Sequence, residues 1–98
     1  MKLVGRGFIM GVNMFEYLRL ADDTQVSYSA AREDGTVLAC IEQPVDMGFS
    51  TAWYVLPACT CIKSEGFTAD KLAWYASFLK NNAPLIMEFA WEGGHVYA

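Results

Sequence analysis

Ninety-eight residues make one domain and leave little room for a second. With 54% hydrophobic, 14% aromatic and only 18% charged residues, the chain has the balance of a packed core and not of a disordered segment. A net charge of −4, with the seven basic residues scattered singly, argues against nucleic acid and anionic membrane surfaces as partners.

Along residues 1–13, "MKLVGRGFIMGVN" imitates a signal peptide with Lys2 and Arg6 first. Its apolar run is short and cut by Gly7 and Gly11, which argues against that reading. The stretch reads either as an added edge strand or as a dispensable extension, because clean patterning begins at Phe15. No apolar run approaches the roughly 20 residues that span a bilayer. Three cysteines, an odd number, fit a reducing compartment, so a cytoplasmic protein is expected.

From Phe15 the sequence predicts an antiparallel meander. Asp22-Asp23 turns "FEYLRL" into "TQVSYSAAR", with Leu20 opposite Gln25, Tyr17 opposite Tyr28 and Phe15 opposite Ala30. Asp34-Gly35 is a hairpin signal, because a type I′ turn needs the positive φ that Gly supplies cheaply. Pairing Glu33 with Thr36 sets Tyr28 against Ile41 and Ala30 against Ala39. One face then collects Phe15, Tyr17, Val26, Tyr28, Ala30, Val37, Ala39 and Ile41. The other mixes Glu16, Gln25, Ser27, Ser29 and Glu42 with Leu18, Leu20, Leu38 and Cys40. After a loop over Pro44–Gly48, "FSTAWYVLPA" supplies a fourth strand that ends near Pro57.

The C-terminal third predicts helices. Thr68 is a natural N-cap, with Phe67 and Leu72 at the hydrophobic-staple positions. Leu72, Tyr75, Ala76 and Leu79 share a stripe, with Trp74 and Phe78 beside it. Asn81-Asn82 interrupts. A second short helix is expected over "APLIMEFAWEGG", capped by Asn82, with Pro84 in its first turn and Gly93 at C′. A strand over residues 85–91 is the competing reading. The expected fold is α+β: a meander of about four strands with two C-terminal helices packed on one face, all in a single domain over residues 1–98.

From Met14 onward, "MFEYLRLADDTQVSYS", "EDGTV", "VLP", "EGFTADKL" and "FLKNNAPLIMEFAWEGG" resemble a group of short, uncharacterised proteins of gut bacteria. The resemblance covers most of the last 85 residues. It implies a compact α+β domain in a bacterial cytoplasm and implies no mechanism. The cysteines and Trp53 lie outside it.

Candidate chemistry is sparse. Cys40, Cys59, Cys61 and His95 have the residue types of a Cys₃His zinc site, but Cys59-Thr60-Cys61 is too closely spaced for a zinc knuckle. The strand register also sends Cys59 and Cys61 to the core face with Trp53 and Val55, and Cys40 to the mixed face. Small buried hydrophobes are the simpler reading. His95 with the turn carboxylates Asp22, Asp23, Glu33, Asp34 and Asp46 would be the machinery of a small hydrolase or nuclease. Turn chemistry explains those carboxylates without catalysis; the alternative is that they ring one end of the sheet as an acidic patch. Neither catalytic nor cofactor-binding residues are assigned, and no cofactor or metal is expected. The aromatics carry the functional reading. Leu85–Trp91 is apolar nearly all round, which predicts an interface at Trp74, Met87 and Trp91. The expected function is a non-catalytic protein-binding or regulatory accessory module of a bacterial cytoplasm or mobile element. A homodimer is its simplest form.

Overall fold

The computed structural model describes residues 13–93. The strand or extension read from residues 1–13 lies outside them except for Asn13. Among the described residues, β1 (Met14–Arg19), β2 (Gln25–Ser29), β3 (Val37–Val45), β4 (Gly48–Leu56) and β5 (Thr60–Glu65) form one antiparallel sheet in sequence order. Among the same residues one helix, α1 (Ala69–Trp91), crosses one face of the sheet. The fold class is α+β as expected; the described residues hold five strands where about four were expected, and one C-terminal helix where two were expected.

The alternation of the meander holds where its registers do not. Tyr28 pairs with Ala39 and Val26 with Ile41, a two-residue shift from the expected pairing. Because side chains alternate with period two, the shift leaves every face assignment of β2 and β3 intact. The turn accounts for one of the two residues, and an extra residue on the β2 side between Tyr28 and Arg32 for the other. Gly35 N–H donates to Arg32 C=O at 2.9 Å and Arg32 N–H to Thr36 C=O at 2.8 Å, so the hairpin closes with three loop residues instead of two. Gly35 takes φ +84° at the position where such a turn needs a left-handed residue. Beyond the turn β2 bulges. Ser29 Oγ accepts the Leu38 N–H at 3.0 Å, and Ala31 N–H reaches Ala90 C=O at 3.1 Å, tying this end of the sheet to the end of α1.

A bulge in β1 has the opposite effect. Phe15 pairs with Tyr28 and Leu18 with Val26, and the register shifts between Glu16 and Leu18. The extra residue reverses parity, so Leu18 and Leu20 join the helix-side core instead of the mixed face.

β3 and β4 run longer than expected. Pro44 pairs with Phe49 inside the ladder, and the turn is only Asp46-Met47. Proline is tolerated there because β2 stops at Gln25, the partner of Glu42, so β3 has β4 alone beside it at Pro44. Leu56–Pro57 is a cis peptide and β4 ends there. The chain then turns back as β5, which is exposed along its whole length. Ala52, Tyr54 and Leu56 face the helix, whereas Trp53 and Val55 lie on the other face with Leu38 and Cys40. This corrects the expectation that Trp53 and Val55 point into the main core.

Helix α1 starts as the capping signals predict. Thr68 Oγ1 accepts the Lys71 N–H at 3.2 Å. Gly93, at φ +81°, closes the far end with its N–H on Ala90 C=O at 3.0 Å. The two short helices of the sequence reading are one, and Pro84 lies inside it. Tertiary contacts account for the continuity. Asn82 does not cap a new helix: its Nδ2 donates to Phe78 C=O and its Oδ1 accepts the Tyr17 hydroxyl, both at 2.8 Å. On either side of Pro84, Leu79, Ala83, Ile86 and Ala90 are buried on the sheet. Breaking the helix would pull them off it. Pro84 itself is exposed, so the carbonyl it leaves without a partner belongs to Lys80, which is also exposed.

The main core is the helix-side cluster of Val26, Tyr28, Ile41, Tyr54, Leu56, Tyr75, Leu79 and Ile86 with smaller neighbours, all at most 1% exposed. Tyr54 is buried with its hydroxyl donating to Leu72 C=O at 2.7 Å, which satisfies the only polar atom it brings into the core. Burial pushes its phenol up to about 12, with smaller contributions from Cys61, Tyr75 and Cys59.

Candidate functional site

The cysteines do not converge. Cys40 is 2% exposed, on the face away from the helix, and clusters with Leu38 and Trp53. Cys59 sits in the β4–β5 turn at φ +63° and packs against the helix-side core. Burial raises its thiol pKa, an effect partly opposed by Lys80. Cys61 is exposed on β5 opposite Tyr54, its Sγ 3.7 Å from Lys63 C=O. This corrects the expectation of two buried cysteines on the face of Trp53 and Val55: the chain turns back instead of continuing β4, Cys61 is exposed opposite helix-facing Tyr54, and Cys59 is half-buried. Among the described residues no group of three or more His, Cys, Asp or Glu side chains is placed to hold a metal ion. His95 lies outside the described residues.

The turn carboxylates are divided by the antiparallel topology. Asp22, Asp23 and Asp46 fall at the end shared by the β1–β2 and β3–β4 turns. Glu33 and Asp34 fall at the opposite end. They do not ring one end of the sheet. Asp34 accepts the Thr36 hydroxyl at 2.6 Å and the Thr36 N–H at 3.0 Å, which holds its carboxyl below the usual range. Asp22 is held down by the Thr24 hydroxyl and by the Thr24 N–H, which donates to Oδ1 at 3.0 Å. The Thr24 hydroxyl is buried beside Asp22 without a hydrogen bond of good geometry. Asp22 Oδ2 also accepts from Gln43 Nε2 at 3.0 Å.

The aromatic residues separate into core and surface. Tyr28, Tyr54 and Tyr75 are at most 1% exposed, whereas Trp74 is 56% exposed and Trp91 64%. Met87, predicted to share a face with Trp91, turns inward and packs on the core. Trp74 and Trp91 stand about 25 Å apart along the helix axis at roughly 1.5 Å per residue, so they mark two places and not one patch. The C-terminal half of the helix also exposes Leu85, at 44%, about 120° round the axis from Trp91. Around Trp74 there is a cleft.

The cleft, about 720 Å³, lies between the β1–β2 turn and the start of α1. Leu20 and Ala21 form one wall, Trp74 and Tyr75 the other, with Asp22, Asp70 and Lys71 around them. Trp74 is stacked on Phe78 at 5.8 Å between centroids and 8° between planes, and meets Tyr75 edge-on at 5.4 Å. Phe67 braces Tyr75 at 5.2 Å. The Lys71 ammonium lies 5.6 Å from the Tyr75 ring centroid. This site was not legible in the sequence, because Leu20 was assigned to the other face and Trp74 was read only as an interface anchor.

Gly66 sets the entry of the chain into the helix. At φ +92° it passes so close to β4 that a Cβ would stand 2.5 Å from Ser50 Oγ. No helix among the described residues is long and apolar enough to cross a membrane. Comparison of the chain with protein-family models, curated proteins and solved structures finds no match.

Proposed function

We propose that the chain is a non-catalytic protein-binding module, an accessory or regulatory factor of a bacterial cytoplasm or mobile element, which self-associates through the water-facing side of the C-terminal half of α1. The observation that carries this reading is Trp91, 64% exposed on a formed helix, whose C-terminal half also exposes Leu85 at 44%. Large apolar groups held in water on a rigid element are what interfaces bury, and Trp is the residue type that most often anchors them. Met87, expected beside Trp91 in this interface, packs on the core instead. A second copy of the chain is the simplest occupant, since an isologous pair buries the same patch twice.

Sedimentation velocity on the full chain, from micromolar to millimolar concentration, tests the reading. The wild type should dimerise. Trp91→Ala should weaken the dimer by about 1–2 kcal/mol or more, as truncating an anchor does. Its monomer should keep the wild-type circular dichroism spectrum, because Trp91 lies outside the buried core. A wild type that stays monomeric throughout removes self-association. A Trp91→Ala chain that unfolds returns Trp91 to the core.

A further inference from the structure

The cleft at the other end of α1 has its own chemistry. Its walls are apolar, from Leu20, Ala21, Trp74 and Tyr75, and carboxylates stand beside them at Asp22 and Asp70. Trp74 is fixed by its stack on Phe78 and its edge contact with Tyr75, yet 56% of it is exposed. An aromatic face held open and rigid beside carboxylates attracts cations, since the ring quadrupole and the charges act in the same direction. The molecule already shows this preference internally, because the Lys71 ammonium is drawn over the Tyr75 ring. Asp22 is anchored by the Thr24 N–H and Gln43 Nε2, so it presents its charge in a fixed place. Asp23 and Asp46 lie at the same end of the sheet, and the whole chain carries −4. Lys71 is the cation in the cleft lining, and it sits on a flexible stem that can swing away.

We propose that this cleft is a docking site for a basic segment of a partner protein, one that presents an Arg or Lys side chain next to an apolar residue. The cationic group would lie over Trp74 between Asp22 and Asp70, its apolar neighbour against Leu20 and Ala21, and Lys71 would be displaced. The apolar walls call for an apolar group beside the cation, and the carboxylates call for a cation beside the apolar group. The proposal goes beyond self-association: Leu85 and Trp91 are at the far end of the helix, and the cleft is complete within one chain.

The test is a titration of ¹⁵N-labelled full-length protein, as wild type and as Trp91→Ala, so that loss of the dimer does not touch the outcome. The probes are the capped peptides Leu-Arg-Leu and Leu-citrulline-Leu, which differ in charge and not in shape, and phenethylammonium as a free cation. Leu-Arg-Leu should give saturable shifts at the Trp74 indole N–H and the Ala21 and Asp22 amides, with the citrulline peptide weaker by about fivefold or more, the size of a cation–π and carboxylate contribution. Asp70→Asn and Trp74→Ala should each weaken the arginine peptide about fivefold on the same grounds. Lys71→Met should strengthen it, a gain that misfolding cannot produce. Equal binding of the citrulline peptide, a weaker Lys71→Met complex, or shifts that map away from the cleft would overturn the proposal. So would phenethylammonium binding as tightly as the peptide, which would make the cleft a small-molecule site.

Discussion

Replacing Pro84 with alanine tests the continuity of α1 directly. In the structure Pro84 is inside the helix, exposed, with buried residues on both sides of it. Proline there cannot donate to the Lys80 carbonyl, and its ring crowds that carbonyl. In an isolated helix interior proline is about 3 kcal/mol worse than alanine. Local adjustment of the helix around the ring recovers part of that cost. Restoring one exposed hydrogen bond is worth about 1 kcal/mol. Pro84→Ala should therefore stabilise the protein by about 1–2 kcal/mol. For a domain of this size that raises Tm by roughly 5–15 °C. Urea unfolding followed by far-ultraviolet circular dichroism would show the midpoint rising at constant slope. If residues 83–91 were a separate helix capped by Asn82, Pro84 would occupy the first turn, where proline is favoured. The substitution would then be neutral or destabilising, and that result would refute the single-helix reading.

Other positions give independent checks. Met47 is fully exposed at φ +68°, so Met47→Gly should stabilise by about 0.5–1 kcal/mol, and a loss of stability in urea would show that the side chain makes a contact. Thiol labelling followed by mass spectrometry should modify exposed Cys61 first, then Cys59, whose thiol pKa is raised by burial, and Cys40 only on unfolding; native labelling of Cys40 would contradict its placement. The Asp22 carboxyl is held below its usual 3.8, so its stabilising effect is present above that pH and is lost as pH falls through the lower folded value. The Tm deficit of Asp22→Asn should accordingly be steady from pH 5 to pH 8 and close below about pH 4; a deficit that persists in acid would mean the effect is not one of charge.

Several features were readable in advance because they are local. Thr68 and Gly93 mark the helix ends, since a hydroxyl acceptor and a residue tolerant of positive φ meet needs of the backbone itself. Asp34-Gly35 marks a hairpin for the same reason. The alternation of Val26, Tyr28, Val37, Ala39 and Ile41 predicts their shared face even though the pairing slipped by two, because face depends on parity and not on partner. Of the three residues expected to share a surface, Trp74 and Trp91 are exposed at opposite ends of the helix and Met87 packs on the core.

Composition and periodicity, by themselves, determined the α+β class, an antiparallel meander with a helical segment after the strands, and large aromatic side chains left on the surface. The remaining features depended on neighbours. β5 is exposed throughout, so it has no apolar alternation, and only its ladder with β4 makes it a strand. The bulge at Tyr17 moved Leu18 and Leu20 to the other face and thereby built one wall of the cleft. Pro84 would end a helix in isolation. Here the packing of Ala83, Ile86 and Ala90 on the sheet outweighs one missing hydrogen bond. A propensity cost of about 3 kcal/mol at one proline proposes a boundary, and burial of several side chains at about 25 cal/mol per Å² decides whether it stands.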